Sequence, residues 1–287
     1  MNIAALIKSM RLRTLPLSLA GVILGGVLGY AQGDCSPWTL VFLFLTTACL
    51  QILTNLGNEL GDHLSGVDEE RVGPRYGMEH GLSEKQMYRA LNVIVVACAL
   101  FGLAMLLFSF QFTISHLPFW GMLVLGAAAI WAATHYTLGK RPYGYRGLGD
   151  IAVFVFFGLT SVLGSYYVTA HTLDWSMVPP AVGMGLLSVG VLNVNNVRDM
   201  STDEGLRCTV PLRIGEKWAK IYQFVLVVGG MLCFITEPRT FFAWPLLFYH
   251  LYMVRTRSGK DLDPALPLLV VATFLTAILY TWARYGV

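Results

Sequence analysis

Apolar residues are concentrated in nine stretches along the chain, and polar residues gather in the segments between them. Each stretch approaches the ~20 residues that an α-helix needs to cross a membrane, and we expect the shorter ones to extend into their flanks. The stretches are approximately Leu15–Tyr30, Trp38–Gly57, Ala90–Phe110, Pro118–Tyr136, Ile151–Val168, Val178–Val194, Ile221–Thr236, Phe241–Val254 and Pro264–Ala283. The pattern predicts an all-α integral membrane protein, with nine transmembrane helices bundled in a single domain over residues 1–287.

The composition agrees with a membrane protein. Hydrophobic residues make up 55% of the chain and charged residues only 13%, and the mean hydropathy is +0.60. So few charges cannot cover a soluble protein of 287 residues, which excludes an ordinary soluble enzyme. The net charge of +3, without a basic run, excludes a nucleic-acid-binding protein. The five cysteines form no Cys-x-x-Cys pair, so neither a zinc site nor a disulfide framework is predicted.

Basic residues fall almost entirely on one side of the predicted membrane. If all nine stretches cross, 18 of the 20 lysines and arginines lie on the side of the N-terminus, and only Arg239 and Arg284 lie opposite. The positive-inside rule then places the N-terminus in the cytoplasm and the C-terminus outside. Fourteen of the 17 acids share the cytoplasmic side. Orientation does not explain them, because acids contribute little to it.

The second apolar stretch runs into a segment whose polar residues share one helical face. Thr47, Gln51, Asn55, Asn58 and Asp62 are spaced by 4, 4, 3 and 4 residues. This spacing predicts one polar stripe along an α-helix. A carboxylate in the middle of a membrane costs ~3 kcal/mol on insertion scales, so we expect the stripe to face a wet or protein-lined cavity.

The sixth stretch ends in a second acidic segment with the same spacing. Asn195, Asp199 and Asp203 again share one face, at intervals of four residues. Asn-x-x-x-Asp is common to the two segments, as Asn58 and Asp62 in the first and as Asn195 and Asp199 in the second. Both segments follow an even-numbered stretch, so both are predicted to reach the cytoplasmic side and to face each other across the bundle.

Two loops, over residues 55–89 and 193–220, bring these acids together with bases. Carboxylate and amide oxygens without a nearby histidine pair suit Mg²⁺, which also binds substrate phosphates. Basic side chains suited to phosphate oxygens lie in or beside the loops, at Arg71, Arg75, Lys140, Arg141 and Arg198. Acids for a metal together with bases for phosphate predict a diphosphate site. A diphosphate at home in a membrane is a polyprenyl diphosphate, and Mg²⁺ with cationic side chains would stabilise its departing diphosphate.

The chain resembles the UbiA superfamily of membrane prenyltransferases at these motifs and over nearly its whole length. The matching segments are Arg13–Pro16, Asn58–Asp62, Gly66–Asp68, Tyr136–Gly139, Gly147–Asp150, Asn195–Asp203 and Leu212–Gly215. Glu70–Arg75, with Gly81 and Leu82 beyond it, resembles the branch whose acceptor is 1,4-dihydroxy-2-naphthoate. The resemblance implies a nine-helix bundle of the UbiA type in the cell (inner) membrane, with its active site on the cytoplasmic side.

The resemblance also implies a reaction and its residues. The reaction is Mg²⁺-dependent transfer of a polyprenyl group from polyprenyl diphosphate to 1,4-dihydroxy-2-naphthoate, with loss of the carboxylate, to give demethylmenaquinol and diphosphate. Asp62, Asp199 and Asp203 are the catalytic acids that it implies. Metal–diphosphate roles are implied for Asn58, Glu59, Asp62, Asp68, Asn195, Asp199 and Asp203.

Two segments depart from the family pattern. The first motif reads Asn58-Glu59 where the family usually has Asn-Asp, so a longer side chain stands at the second position. After the second motif, Gly205–Thr209 lacks the family's lysine. Arg207 is expected to take the place of that lysine toward the diphosphate, with an altered phosphate geometry.

Two other interpretations stay open. Within the enzyme class, the acceptor is instead a 4-hydroxybenzoate-like ring, a tocopherol precursor or haem. In a different class, the two acidic stripes serve a cation or metabolite transporter. Transporters usually carry polar residues near the membrane midplane, whereas here they gather at one face, which favours the enzyme.

Overall fold

The computed structural model describes residues 2–66, 77–78 and 81–285, and the regular structure within these ranges is helical. The long helices, in chain order, are α1 (Ile3–Gln32), α2 (Pro37–Leu64), α3 (Glu84–Ser109), α4 (Leu117–His135), α5 (Gly149–Ala170), α6 (Trp175–Arg198), α7 (Glu216–Leu232), α8 (Trp244–Thr256) and α9 (Gly259–Tyr285). Two short helices, Met200–Asp203 and Val210–Ile214, lie between α6 and α7.

Each predicted apolar stretch overlaps one of these helices. In the described part of the chain, seven helices are long and apolar enough to cross a membrane, namely all except α7 and α8. These two have 17 and 13 residues, short of the ~20 that a full crossing takes. The prediction of an all-helical chain with several apolar spans is confirmed. The count of nine crossings and the orientation stay predictions.

The first helix bends near its start. Its opening segment, Ile3–Ser9, is capped by Asn2, whose side chain accepts a hydrogen bond from the backbone N–H of Ala5. Arg11 then adopts a left-handed backbone conformation with φ at 47°, which is uncommon for a residue with a Cβ atom. Regular helix resumes at Leu15–Val22. The bend separates the opening segment from the apolar remainder of α1.

Glycines bring the backbones of α1 and α5 into contact. Gly21, Gly25 and Gly29 recur every four residues and so lie on one face of α1. A Cβ atom on Gly25 would lie 2.0 Å from the carbonyl oxygen of Val162 in α5. One on Gly29 would lie 2.6 Å from the carbonyl oxygen of Tyr166. Small residues of this kind allow close van der Waals packing in lipid, where the hydrophobic effect does not drive helices together.

The sixth helix is the central one. Of its most apolar 18-residue window 67% is buried, against 11–50% for the other six candidate spans. It packs against α5, α7 and α9. Phe154 and Phe234 lie where Cβ atoms on Gly185 and Gly183 would otherwise be. Because α6 ends in the second acidic segment, this packing fixes that segment from several sides.

The second helix packs on α3, α4 and the start of α1. Leu53, Leu56 and Leu60 are fully buried on one of its faces, in a cluster that includes Leu6 of α1 and Met87 of α3. The burial of these side chains holds the C-terminal end of α2, with the first acidic segment, beside the opening segment of α1.

We predict that Gly25→Ala destabilises the protein and that Gly121→Ala in α4 does not. A methyl group at position 25 overlaps the backbone of Val162, and overpacking of this kind typically costs about 1–3 kcal/mol. A Cβ atom on Gly121 meets nothing within 4 Å. Thermal unfolding in detergent should therefore show a lower midpoint for Gly25→Ala alone. Equal midpoints for the two variants would contradict the close packing of α1 on α5.

Candidate active site

Arg207 joins the two acidic segments at one end of the helices. Its Nη2 donates to Oδ1 of Asp62, near the end of α2, at 2.5 Å. Its Nε lies 3.5 Å from Oδ1 of Asp203, just beyond α6. Both aspartates are 3% exposed. Two buried carboxylates that are far apart in the sequence therefore share one guanidinium, as expected if the two motifs face each other.

Tyr145, in the loop between α4 and α5, completes this centre. Its hydroxyl donates to Oδ1 of Asp62 at 2.6 Å, and the guanidinium carbon of Arg207 lies 4.8 Å from the centre of its ring. Burial, and then the Asp62 carboxylate, raise the pKa of Tyr145 above its usual range, so the hydroxyl stays a donor. Tyr145 is not among the residues predicted from the sequence. The available signal was its position in the family-matched loop between Tyr136 and Asp150.

The carboxylates of Asp62 and Asp203 keep Arg207 protonated. Burial alone would lower the pKa of the guanidinium, but the carboxylates of Asp62 and Asp203 outweigh burial, and the pKa is raised. Arg207 is therefore charged at any physiological pH. A buried like-charged pair is costly without a cation, so this arginine stabilises the approach of the two motifs.

A second arginine holds the other acid of the second motif. Arg198, the last residue of α6, donates from Nε and Nη2 to the two carboxylate oxygens of Asp199, at 2.7 and 2.6 Å. It also donates to Oδ1 of Asn195 at 3.0 Å and to Oδ1 of Asp263 in α9 at 2.9 Å. The sequence predicts diphosphate binding for Arg198. The structure places this buried side chain against Asp199 and Asp263.

Asn58 faces the loop after α4, on the same side of α2 as Asp62. The hydroxyl of Thr137 donates to the carbonyl of Gly57 at 2.8 Å and lies 3.3 Å from Oδ1 of Asn58. Gly61 permits this approach, since a Cβ atom there would lie 2.6 Å from the carbonyl oxygen of Thr137. The first motif is thus fixed to the loop that also carries Tyr145.

Glu59 contacts the start of α1 and residues 77–78. Its Oε1 accepts from the backbone N–H of Met78 at 2.8 Å. The same oxygen lies 3.2 Å from the hydroxyl of Ser9, whose single hydrogen is shared with the carbonyl of Ala5 at 3.1 Å. The carboxylate is 2% exposed. The structure therefore places this oxygen against the opening segment of α1 and against residues 77–78.

The remaining predicted site residues lie at the periphery or beyond the described ranges. Lys140 and Arg141 are exposed in the loop after α4. Asp68, Arg71 and Arg75 fall outside the described residues.

A small cavity adjoins Arg207, between the loop after α4 and the loop after α6. Its volume is about 20 Å³, enough for a single water molecule. Tyr136, Asp150, Asn196 and Thr209 contribute polar groups to its lining. The buried Oγ1 of Thr209 has no hydrogen-bond partner among the described residues. Polar atoms from both loops therefore converge beside the charged centre.

The donor atoms around these centres suit a hard divalent cation. Within residues 2–66, 77–78 and 81–285, no three acidic, histidine or cysteine side chains are close enough to enclose a metal ion. Instead, the carboxylates of Asp62 and Asp203 share the guanidinium of Arg207, and those of Asp199 and Asp263 share the guanidinium of Arg198. Mg²⁺ needs only one or two carboxylates, because waters and substrate phosphates complete its shell. The two carboxylate pairs and the nearby amide oxygens fit that requirement in chemistry and charge.

Relatives of the chain extend over nearly its full length. Residues 18–257 match the model of the UbiA prenyltransferase family. A 1,4-dihydroxy-2-naphthoate octaprenyltransferase of Escherichia coli (strain K12) is 39% identical, with 96% of this chain and 93% of the relative covered. A protein of the same name from Mycobacterium tuberculosis (strain ATCC 25618 / H37Rv) is 34% identical, with 92% and 91% covered.

Solved structures share the fold. A UbiA homolog from Aeropyrum pernix K1 aligns with a TM-score of 0.68 at 12% identity, covering 93% of this chain and 95% of that one. A UbiA homolog from Archaeoglobus fulgidus bound to GPP and Mg²⁺ aligns with a TM-score of 0.66 at 16% identity, covering 99% and 100%. At these identities the likeness concerns the fold alone.

We predict that Arg207→Ala destabilises the protein and that Mg²⁺ reverses part of the loss. Removing the guanidinium takes the cation away from the buried carboxylates of Asp62 and Asp203, and breaking a buried ion pair from one side typically costs about 3–5 kcal/mol. A divalent cation replaces the lost charge, so it should stabilise the variant more than the parent protein. Thermal unfolding in detergent, with and without Mg²⁺, measures both effects.

The matched control for this prediction is Arg255→Ala, which removes an exposed arginine at the end of α8. It should leave the unfolding midpoint and its response to Mg²⁺ unchanged. If Arg207→Ala unfolds at the parental midpoint without Mg²⁺, Arg207 is not the cation that stabilises this centre.

Proposed function

The chain belongs to the UbiA prenyltransferase family, and from this membership we propose that it transfers a polyprenyl group from polyprenyl diphosphate to 1,4-dihydroxy-2-naphthoate. The reaction depends on Mg²⁺, releases CO₂ and diphosphate, and yields demethylmenaquinol. The observation that carries the proposal is 39% identity, over nearly the whole chain, to an enzyme named for this acceptor. The meeting of both acidic motifs at Arg207 supports a site for a charged leaving group.

The acids of both motifs are proposed to hold the metal. Asp62 and Asp203 contribute carboxylates from one charged centre and Asp199 from the other, and Asn58 and Asn195 contribute amide oxygens. Mg²⁺, when bound, supplies positive charge that stabilises the departing diphosphate. Asp68 belongs to this set by its place in the first motif.

Basic side chains are proposed to bind the diphosphate directly. Arg207 lies between the motifs, and Lys140 and Arg141 are exposed on the adjoining loop, where they are accessible to a ligand. Their charge stabilises the negative charge that develops as the C–O bond breaks. By their position in the first motif loop, the proposed set also includes Arg71 and Arg75.

Bonds and electrons balance in the proposed reaction. The bond from the allylic carbon to the diphosphate oxygen breaks, and its electron pair leaves on the diphosphate. The acceptor's ring carbon that carries the carboxylate forms the new bond to the prenyl group. The bond from that carbon to the carboxylate then breaks, CO₂ departs, and the electron pair of the broken bond returns to the ring. Water must be kept away, because it would capture the allylic cation. The apolar interior around α6 favours this exclusion.

The proposed setting is the cytoplasmic face of the cell (inner) membrane. We propose nine crossings, with the N-terminus in the cytoplasm and the C-terminus outside. With nine crossings, 18 of the 20 basic residues lie on the side of the N-terminus, as the positive-inside rule expects of a cytoplasmic N-terminus.

The reconstituted protein tests the proposed activity directly. With Mg²⁺, a polyprenyl diphosphate and 1,4-dihydroxy-2-naphthoate, it should yield the prenylated, decarboxylated product, detected by mass spectrometry, and free diphosphate. Asp62→Ala and Asp199→Ala should each lower turnover about 100-fold or more, because each removes a carboxylate proposed to hold the Mg²⁺ that stabilises the departing diphosphate. Asp261→Ala removes an exposed acid of α9 and should retain parental turnover.

Three results would count against parts of this proposal. Turnover with 4-hydroxybenzoate and none with the naphthoate would overturn the acceptor and leave prenyl transfer standing. Turnover near the parental level in Asp62→Ala or Asp199→Ala would contradict the metal site. Cation movement across proteoliposomes, with no prenyl product from any acceptor, would favour the transporter.

The topology has its own test in spheroplasts. Arg239→Cys and Lys260→Cys, each in a protein without the five native cysteines, place single thiols at exposed positions on the two sides of α8. With nine crossings, a membrane-impermeant maleimide should label the first in intact spheroplasts and the second only after permeabilisation. Protection of both thiols until permeabilisation would show that α7 and α8 do not cross.

A further inference from the structure

The polar residues of α2 form two faces. Their contacts distinguish a first line, Gln51, Asn55 and Glu59 at intervals of four, from a second, Asn58 and Asp62. At ~100° per residue, Glu59 lies ~60° around the helix from Asp62 and ~100° from Asn58. The first line faces the start of α1, and the second faces the loop after α4 and Arg207. The single stripe expected from the spacing therefore divides into two, and Glu59 belongs to the line that leads away from Asp62.

The contacts along the first line form what we call the N-terminal seam, defined by Gln51, Asn55 and Glu59 of α2 and by Ser9, Met10 and Thr14 of α1. Nε2 of Gln51 donates to Oγ1 of Thr14 at 3.1 Å. Nδ2 of Asn55 lies 2.9 Å from the same oxygen and donates to the carbonyl of Met10 at 2.8 Å. These side chains fix the bend of α1 on α2 over residues 10–14.

Glu59 closes the seam at the end nearest the first acidic motif. Its Oε1 accepts from the hydroxyl of Ser9 and from the N–H of Met78. Oγ of Ser9 in turn accepts from the N–H of Gly77 at 3.2 Å. A Cβ atom on Gly77 would lie 2.3 Å from that oxygen, so the two segments touch. One carboxylate oxygen therefore links α2, the opening segment of α1 and the far end of the first motif loop.

We infer that Glu59 is a positioning residue and not a metal ligand: it holds the start of α1 and residues 77–78 against the helix that carries Asn58 and Asp62. As far as turnover is concerned, the inference rests on the proposed function. It also accounts for the glutamate where the family usually has aspartate. An aspartate is shorter by one C–C bond, about 1.5 Å, and would withdraw its oxygen from Ser9 and Met78.

Two conservative substitutions separate the two roles. Glu59→Gln keeps a carbonyl oxygen in place as an acceptor for Ser9 and Met78, whereas Glu59→Asp keeps the charge and shortens the reach. A positioning role predicts that Glu59→Gln stays within about threefold of parental turnover and that Glu59→Asp loses about tenfold. If Glu59 were a metal ligand, Glu59→Gln would lose more turnover than Glu59→Asp. It would also need more Mg²⁺ for half-maximal turnover.

Hydrogen exchange followed by mass spectrometry tests the contacts of Glu59 with Ser9 and Met78, and it needs no substrate. Peptides covering residues 3–14 and 77–82 should exchange faster in Glu59→Asp and in Ser9→Ala than in the parent protein, because the hydrogen bonds at Met78 and Gly77 are lost. Both peptides should exchange at the parental rate in Glu59→Gln. The matched controls are Glu84→Asp and Glu84→Gln, which alter an exposed glutamate at the start of α3 and should change neither turnover nor exchange.

The inference is overturned if Glu59→Gln loses at least as much turnover as Glu59→Asp, or if exchange in Glu59→Asp and Ser9→Ala matches the parent. The half-maximal Mg²⁺ concentration should stay within about twofold of the parental value in both Glu59 variants. Failure of the naphthoate as acceptor would refute the proposed function alone, because the exchange experiment needs neither acceptor nor prenyl donor.

Discussion

The sharing of one buried guanidinium by Asp62 and Asp203 is the interaction on which the site depends. The two carboxylates come from different motifs and have little access to water, so their approach is unfavourable without a cation between them. Arg207 supplies that cation, and Tyr145 adds a neutral donor to the same oxygen of Asp62. Any state in which Arg207 leaves this position must therefore bring another positive charge to it. A divalent metal with a diphosphate is a ligand that meets this condition.

The helices make such a concentration of charge possible, because they hold its parts rigidly. α6 is the most buried of the candidate spans, and its end is tied to α9 through the contacts of Arg198 with Asp199 and Asp263. α1 lies against α5 at glycines that leave no room for a side chain, so neither helix can shift without steric overlap. The charged groups therefore sit at the end of a closely packed apolar structure, which holds them in place.

The sequence predicted the helices from the nine apolar stretches, and it predicted the meeting of the two motifs from their positions after even-numbered stretches. The sequence did not predict which partner each charged side chain contacts. From the sequence Arg198-Asp199 alone, one cannot tell whether the arginine binds a ligand or the neighbouring aspartate. In the structure, Arg198 donates two hydrogen bonds to Asp199. Spacing alone also does not separate two faces when intervals of three and four are mixed: Gln51 and Asn55 were expected on one stripe with Asp62, but their amides contact the start of α1. The metal role expected of Glu59 rested on the family resemblance and not on spacing. Tyr145 carried no spacing signal at all, since it lies in a loop.

The contacts of Arg207 and Glu59 explain both departures from the expected family pattern. Arg207 lies in the segment where the family resemblance leads us to expect a lysine, and it contacts Asp62 through Nη2 and Asp203 through Nε. A lysine offers a single nitrogen, whereas the planar fork of an arginine can serve two carboxylates from one position. Glu59 stands where the family resemblance leads us to expect an aspartate, and its additional methylene group carries the carboxylate to Ser9 and Met78. In each case the longer or broader side chain spans two segments of the chain. Both side chains thus fix the position of the first acidic motif: Arg207 relative to the second motif, and Glu59 relative to the start of α1 and residues 77–78.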